Sequence, residues 1–179
     1  MESHMPYIEV KIAKKRITKQ EVRILSSGIT EVMSGILNKK RSLVAVSIET
    51  IDPDKWFVAE KEVLEHELTT AFVSARITEG TNTVKEKEDA IEAINQLLNQ
   101  VLGTMTEASY IVLEALPSTD WGYSGKTQEY RKLSNKSKNG DGTIDYQHHL
   151  RKSQQLRSDC IFSVFDKFAN RLRQLVKPV

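Results

Sequence analysis

Pro6 is the residue whose chemistry stands apart first. It follows Met5, and Ser3-His4-Met5 reads as the scar of a gene joined at a restriction site encoding His-Met. On that reading residues 1–5 are not natural sequence beyond the starting methionine, which is removed before proline, and Pro6 becomes a free N-terminus. A free prolyl nitrogen is a secondary amine that can hold a proton. An ordinary α-amino group has a pKa of about 7.7–8.0, and burial or nearby cations lower it toward neutrality, where a base works best. An acylated prolyl nitrogen is an amide with no basicity. The alternative is that Met1 is the true start and Pro6 an internal proline at a strand edge.

The other residue types exclude several chemistries. Cys160 is the one cysteine, so no intramolecular disulfide forms, and this fits a reducing cytoplasm. The four histidines have no zinc-type spacing, and His148 and His149, being adjacent, point about 100° apart on a helix. The Asp-Gly at 141–142 lacks the spaced carboxylates and terminal Glu of a calcium loop. Neither a metal nor an organic cofactor is expected. The composition is 39% hydrophobic and 28% charged with a net charge of +2, which by itself implies no acidic partner. No apolar run approaches the ~18 residues of a membrane span, and no signal-peptide core precedes Pro6.

The elements that must position Pro6 come from an internal repeat. Laying residue n on residue n+65 aligns two halves without a gap. Strand-like Tyr7–Ile12 falls on Phe72–Ile77, and Thr18-x-x-Glu21 falls on Thr83-x-x-Glu86, each a capping box that starts a helix. Leu25, Ile29, Val32, Met33, Ile36 and Leu37 fall on Ala90, Ile94, Leu97, Leu98, Val101 and Leu102, one buried helical stripe in each half. Asn38 and Gly103 follow as residues that tolerate a left-handed helix end. Second strands run over 43–51 and 108–116, with Glu49 on Glu114 and Trp56 on Trp121 just beyond. Each unit is strand, helix, strand, and the crossover makes its strands parallel. The expected fold is α/β: two tandem β-α-β units forming a four-stranded sheet with two helices on one face. Unit one spans 6–70 and unit two 71–133. The opposite, partly apolar face has nothing in the chain to cover it, and three chains in a ring would do so.

Met5-Pro6 opening a strand, Arg16 closing it, a helix, a second strand and an aromatic together resemble the 4-oxalocrotonate tautomerase family. The match is best to its fused members, which carry two units in one chain. Thr-Glu-Gly-Thr-Asn-Thr at 78–83 and Asp-Trp-Gly-Tyr-Ser-Gly-Lys-Thr-Gln-Glu-Tyr-Arg at 120–131 carry that part of the likeness. The resemblance implies a homotrimer of fused chains, with a free Pro6 as general base, or as general acid in some branches. It gives Arg16 the role of gripping a substrate carboxylate and drawing electron density from the reacting carbon, work that suits a permanently charged, bidentate guanidinium. Otherwise Arg16 is a solvated member of the Lys14-Lys15-Arg16 run. Trp56 falls where the family keeps an aromatic on the pocket wall, with plain core packing as the alternative, and Trp121 is its counterpart in unit two.

The departures matter too. A second arginine of the family's simplest members falls at about Ala45, and Arg41, in the turn before it, is no convincing replacement. Ala71 stands where unit two would have its proline, and Thr81 where it would have Arg16's counterpart. Unit two can instead complete the first site from across an interface, with Arg76 as a cation and Asp120 as a carboxylate that activates water. The plain alternatives are a solvent-facing strand residue and an exposed turn aspartate. The implied activity moves a proton between carbon and oxygen of a small 2-oxo or 2-hydroxy-alkenoate acid. Its competitors are hydration or dehalogenation of an unsaturated acid, and a silent scaffold that binds a partner.

Beyond unit two the composition changes. Residues 134–144 read as a polar, glycine-bearing linker, and 145–179 as an amphipathic helical extension with a net +3 over 141–179. Its apolar stripe is expected to pack on its own or a neighbouring subunit, with a protein partner or an anionic membrane surface as alternatives. Basic residues diluted by Asp and Gln, with no binding motif, argue against nucleic acid.

Overall fold

The computed structural model describes residues 5–63 and 69–138. Unit one supplies β1 (Tyr7–Ala13), α1 (Lys19–Gly35) and β2 (Ala45–Ile51), closed by a two-residue hairpin, β3 (Phe57–Val58) and β4 (Lys61–Glu62). Unit two supplies β5 (Ala71–Thr78), α2 (Val84–Leu102) and β6 (Tyr110–Leu116). A second hairpin follows, β7 (Gly122–Tyr123) and β8 (Lys126–Thr127), and then α3 (Gln128–Lys138). The four long strands form one sheet in the order β2-β1-β5-β6. Each unit pairs its own strands in parallel, and the two units join by antiparallel pairing of β1 with β5, Tyr7 opposite Arg76 through Ile12 opposite Ala71.

The expected α/β architecture is the observed one. Alternation along β1 and β5 turns Ile8, Val10, Ile12, Val73, Ala75 and Ile77 toward the helices, all of them buried. Leu25, Ile29 and Met33 of α1 and Ile94 and Leu98 of α2 meet them from above, each with no solvent exposure. Burying one such side chain fully is worth about 1.5–3 kcal/mol, so the core, not helix propensity, holds both helices down. Both capping boxes form: Thr18 and Thr83 accept from the backbone N–H of Glu21 and Glu86, whose carboxylates accept from the threonine N–H groups. Asn38 and Gly103 both adopt positive φ, 56° and 91°, as the helix ends require.

The repeat extends to hydrogen bonds that no residue pattern announced. Lys14 N–H donates to Ile51 O and Glu79 N–H to Leu116 O; Lys55 N–H donates to Asp52 O and Asp120 N–H to Pro117 O. Val63 N–H donates to Trp56 O, and Gln128 N–H to Trp121 O, so the two hairpins are copies as well. The second strands begin later than the sequence suggests, at Ala45 and Tyr110. In unit one a single 3-10 turn over Arg41–Leu43 takes up the slack, and Arg41 pairs there with Glu31 at 2.7 Å. Helix α3 runs to Lys138, into the stretch read as linker. Residues 128–138 contain no Gly or Pro, and the Ser134 hydroxyl donates back to Tyr130 O, so polar composition alone does not end the helix there. The rest of that linker and the amphipathic extension, with His148, His149 and Cys160, lie outside the described residues.

At the start of α1 the Glu21 carboxylate takes the Lys14 ammonium at 2.8 Å and the Thr18 N–H and hydroxyl at 2.7 Å each. These bonds, the Lys14 bond foremost, hold its pKa down at about 2. A carboxylate depressed in the folded state contributes stability that is present above about pH 4.3 and lost as the pH falls toward 2. The wild type should therefore exceed Glu21→Gln in stability by about 1–2 kcal/mol near neutrality. In urea unfolding that margin should close between about pH 4.5 and pH 2.

Candidate active site

Antiparallel β1–β5 pairing gives the sheet two different ends. Where β1 and β2 begin, β5 and β6 finish, so this end gathers Pro6, the exit of α1, the 79–83 loop and the turn before Trp121. The other end gathers Lys14–Arg16, Trp56 and the start of β5. A seven-residue strand such as β1 is about 23 Å long, and it lies between them.

Among the residues singled out from the sequence, the structure places Pro6, Asp120 and Trp121 at one end, with Arg76 one register position in, opposite Tyr7. It does not bring Arg16 or Trp56 to the proline of the same chain: both stand at the far end, Arg16 exposed and Trp56 half-buried. The repeat explains the exchange. Each strand is finished by the opposite unit's loop, so Thr81 and Trp121, the counterparts of Arg16 and Trp56, stand at the Pro6 end of the sheet. Arg16 and Trp56 stand at the end of Ala71, the proline's counterpart. They meet a proline only if another chain brings one.

Pro6 is buried, and its carbonyl accepts from Ala45 N–H at 3.3 Å, which ties the start of β1 to the start of β2. Arg76 lies on the sheet face away from the helices, 3.3 Å from Glu9 and 3.3 Å from Glu114, over the Tyr7 ring at 5.8 Å. Its hydrogen bond to Glu9, with Glu114 adding, raises its pKa further. Two carboxylates already answer its charge, so as a substrate cation it starts at a disadvantage. Ser74 hydroxyl donates to the same Glu114. Asp120 is exposed and accepts from the Thr119 hydroxyl at 2.6 Å.

The cation that sequence reading missed is Lys39. It follows Asn38 at the end of α1 and is 4% exposed. Its ammonium donates to Thr81 Oγ1 at 2.8 Å and Asn82 Oδ1 at 2.6 Å, and Thr81 in turn donates to the carbonyl of Thr78, the last residue of β5. Asn82 also donates to Leu37 O at 3.0 Å, so α1 of unit one is fastened to the loop of unit two. Burial pushes the Lys39 pKa down to about 8; the Glu86 carboxylate opposes the drop and Lys87 adds to it. The ammonium still carries its charge at neutral pH, in a shielded place where charge acts strongly. Nothing in a Lys-Lys-Arg run at 39–41 marks its first member for burial.

Among the described residues no group of three His, Cys, Asp or Glu is placed to hold a metal ion, and no helix is long and apolar enough to cross a membrane.

The family model for tautomerase enzymes matches residues 6–65, beginning at Pro6. Tautomerase PptA of Klebsiella pneumoniae is 35% identical over 52 residues, 29% of this chain and 69% of that protein. The chain belongs to the tautomerase family. A probable tautomerase K2 of Dickeya dadantii is 26% identical over 61 residues, covering 34% of this chain and 91% of that protein. The fold of the whole tandem unit is shared with a native fused 4-OT, at TM-score 0.62 and 17% identity over 69% of this chain and 97% of that one. Membership supports a tautomerase, an isomerase, and the described region has the shape of a fused one.

The buried ammonium makes a prediction of its own. Lys39 has a folded pKa below its unfolded value of about 10.4, so between about pH 8 and pH 10.4 the unfolded chain holds more protons and stability rises with pH. Urea unfolding should show wild type gaining on Lys39→Met across that window and running parallel to it below about pH 8. Parallel curves throughout would mean the ammonium is not buried.

Proposed function

We propose that the chain, with Pro6 as its free N-terminus, tautomerises a small 2-oxo or 2-hydroxy-alkenoate acid. The prolyl amine takes the enol O–H proton, the oxygen lone pair closes the carbonyl, and the carbon–carbon double bond takes the proton back from the resulting ammonium. Atoms and charge balance, and no co-reactant is required. The observation that carries the reading is the buried Pro6, at the residue where the family match begins, sharing its end of the sheet with the buried Lys39 ammonium. Burial and that cation both penalise a protonated amine and favour the free base at neutral pH. Lys39 also gives this end of the sheet a positive charge that Ala45 cannot.

The same reading makes the working particle a homotrimer. Tyr110 and Val112 on the helix-free sheet face are 60% and 38% exposed, an apolar surface that other chains would cover. A fused 4-OT of the same fold is described as a trimer. In such a ring Arg16 and Trp56 would approach a neighbour's site.

The test compares two proteins that differ only at the amine: the chain cut to begin at Pro6, and the chain retaining residues 1–5. With phenylenolpyruvate as substrate, the cut chain should be faster by about 10²-fold or more, the usual worth of a positioned base. Equal rates would remove Pro6 from the mechanism, since its nitrogen is an amide in the longer chain.

A further inference from the structure

Three donor atoms of the second hairpin and α3 are shielded from solvent and without an acceptor among the described residues: Trp121 Nε1, Gln128 Nε2 and Arg131 Nε. Contacts around them join the segments that carry them. Gln128 N–H donates to Trp121 O at 3.1 Å, joining the first residue of α3 to the hairpin. Gln128 and Arg131, three apart on that helix, share a face. Arg131 Nη2 donates to Tyr123 O at 2.9 Å and its guanidinium lies 3.8 Å from the Tyr123 ring centroid. Tyr123, in the first strand of that hairpin, is two residues beyond Trp121. Gln128 is 3% exposed, so its amide is enclosed and not waiting on solvent.

The chemistry of the missing partner can be read from these donors. A water accepts two hydrogen bonds and then needs acceptors for its own hydrogens, and the three orphan atoms are all donors. A carboxylate has about four acceptor positions and no hydrogen to place. It also answers the guanidinium, which has no ion pair among the described residues; the adjacent Glu129 carboxylate accepts instead from the Ser118 hydroxyl at 2.7 Å. We infer that the seam between the second hairpin and α3 is a carboxylate-binding site, formed by Trp121, Gln128 and Arg131. It lies wholly in unit two and does not depend on Pro6 being free. A small free carboxylate and a carboxylate side chain of a second copy are its two possible sources.

The chain has two tryptophans, so a ¹⁵N-labelled sample of the full chain gives two indole N–H signals, assigned through Trp56→Phe. Titration with acetate or malonate should move the Trp121 signal to saturation and leave that of Trp56 in place. Gln128→Met and Arg131→Met should each weaken the response about tenfold or more, the usual worth of a bond to a charged group. Gln128→Glu, which carries its own carboxylate, should move the signal without ligand and abolish the titration. Movement on concentrating the protein without additive, reversed by dilution, would identify a second copy as the source and equally support the site. A Trp121 signal that ignores every carboxylate, protein concentration and Gln128→Glu would overturn the proposal. So would one that responds equally to acetamide or to chloride. The untouched signals of the folded core show in each variant that the fold is intact.

Discussion

The antiparallel pairing of β1 with β5 is the constraint on which the rest of the molecule depends. Each β-α-β unit is parallel within itself and could not cover its own strand edge. Joining the two first strands head to tail closes one continuous sheet and sets the helices side by side above it. It also decides what meets at each end. Because β5 finishes where β1 begins, the loop of unit two arrives at Pro6 and the loop of unit one arrives at Ala71. The end of the sheet at the proline is therefore built from both units of a single chain.

On that frame the two ends have diverged through a few residues. The proline end holds an enclosed ammonium, Lys39, secured by Thr81 and Asn82. The other end has Thr104 at the equivalent position, and its charge, Arg16, is exposed. A buried ammonium costs solvation, and its lowered pKa of about 8 measures that cost. The cost is met by two hydrogen bonds that fasten α1 to the opposite unit. In the proposed function the same charge tunes a free Pro6 amine. Structural fastening and electrostatic tuning need not compete in one residue, because both require the ammonium to be held in a dry, fixed place.

Much of this was legible in the chain itself. Capping threonines, the paired helical stripes and the left-handed residues at 38 and 103 are local patterns set by local physics, and they survive intact in the fold. The hairpins after Trp56 and Trp121 were not legible, since two-residue strands have no periodicity; only their shared offset hinted at them. α3 was hidden by polar composition, which resembles a linker until the helix is seen to lack a breaker before Gly140. The candidate site was harder. The family resemblance grouped Pro6 with Arg16 and Trp56, yet a strand carries residues ten apart to opposite ends of a sheet. Lys39 owes its properties to burial and hydrogen bonds from a loop more than forty residues on, which no neighbouring residue encodes.

The central claim, that this end of the sheet makes a base of Pro6, is tested most directly by titrating the amine itself. The chain cut to begin at Pro6, with ¹⁵N-labelled proline, reports its protonation through the nitrogen chemical shift. The amine should titrate clearly below the ordinary α-amino range of about 7.7–8.0, and move back toward it in Lys39→Met. An amine that titrates in the ordinary range, and does so equally with and without Lys39, would contradict the account.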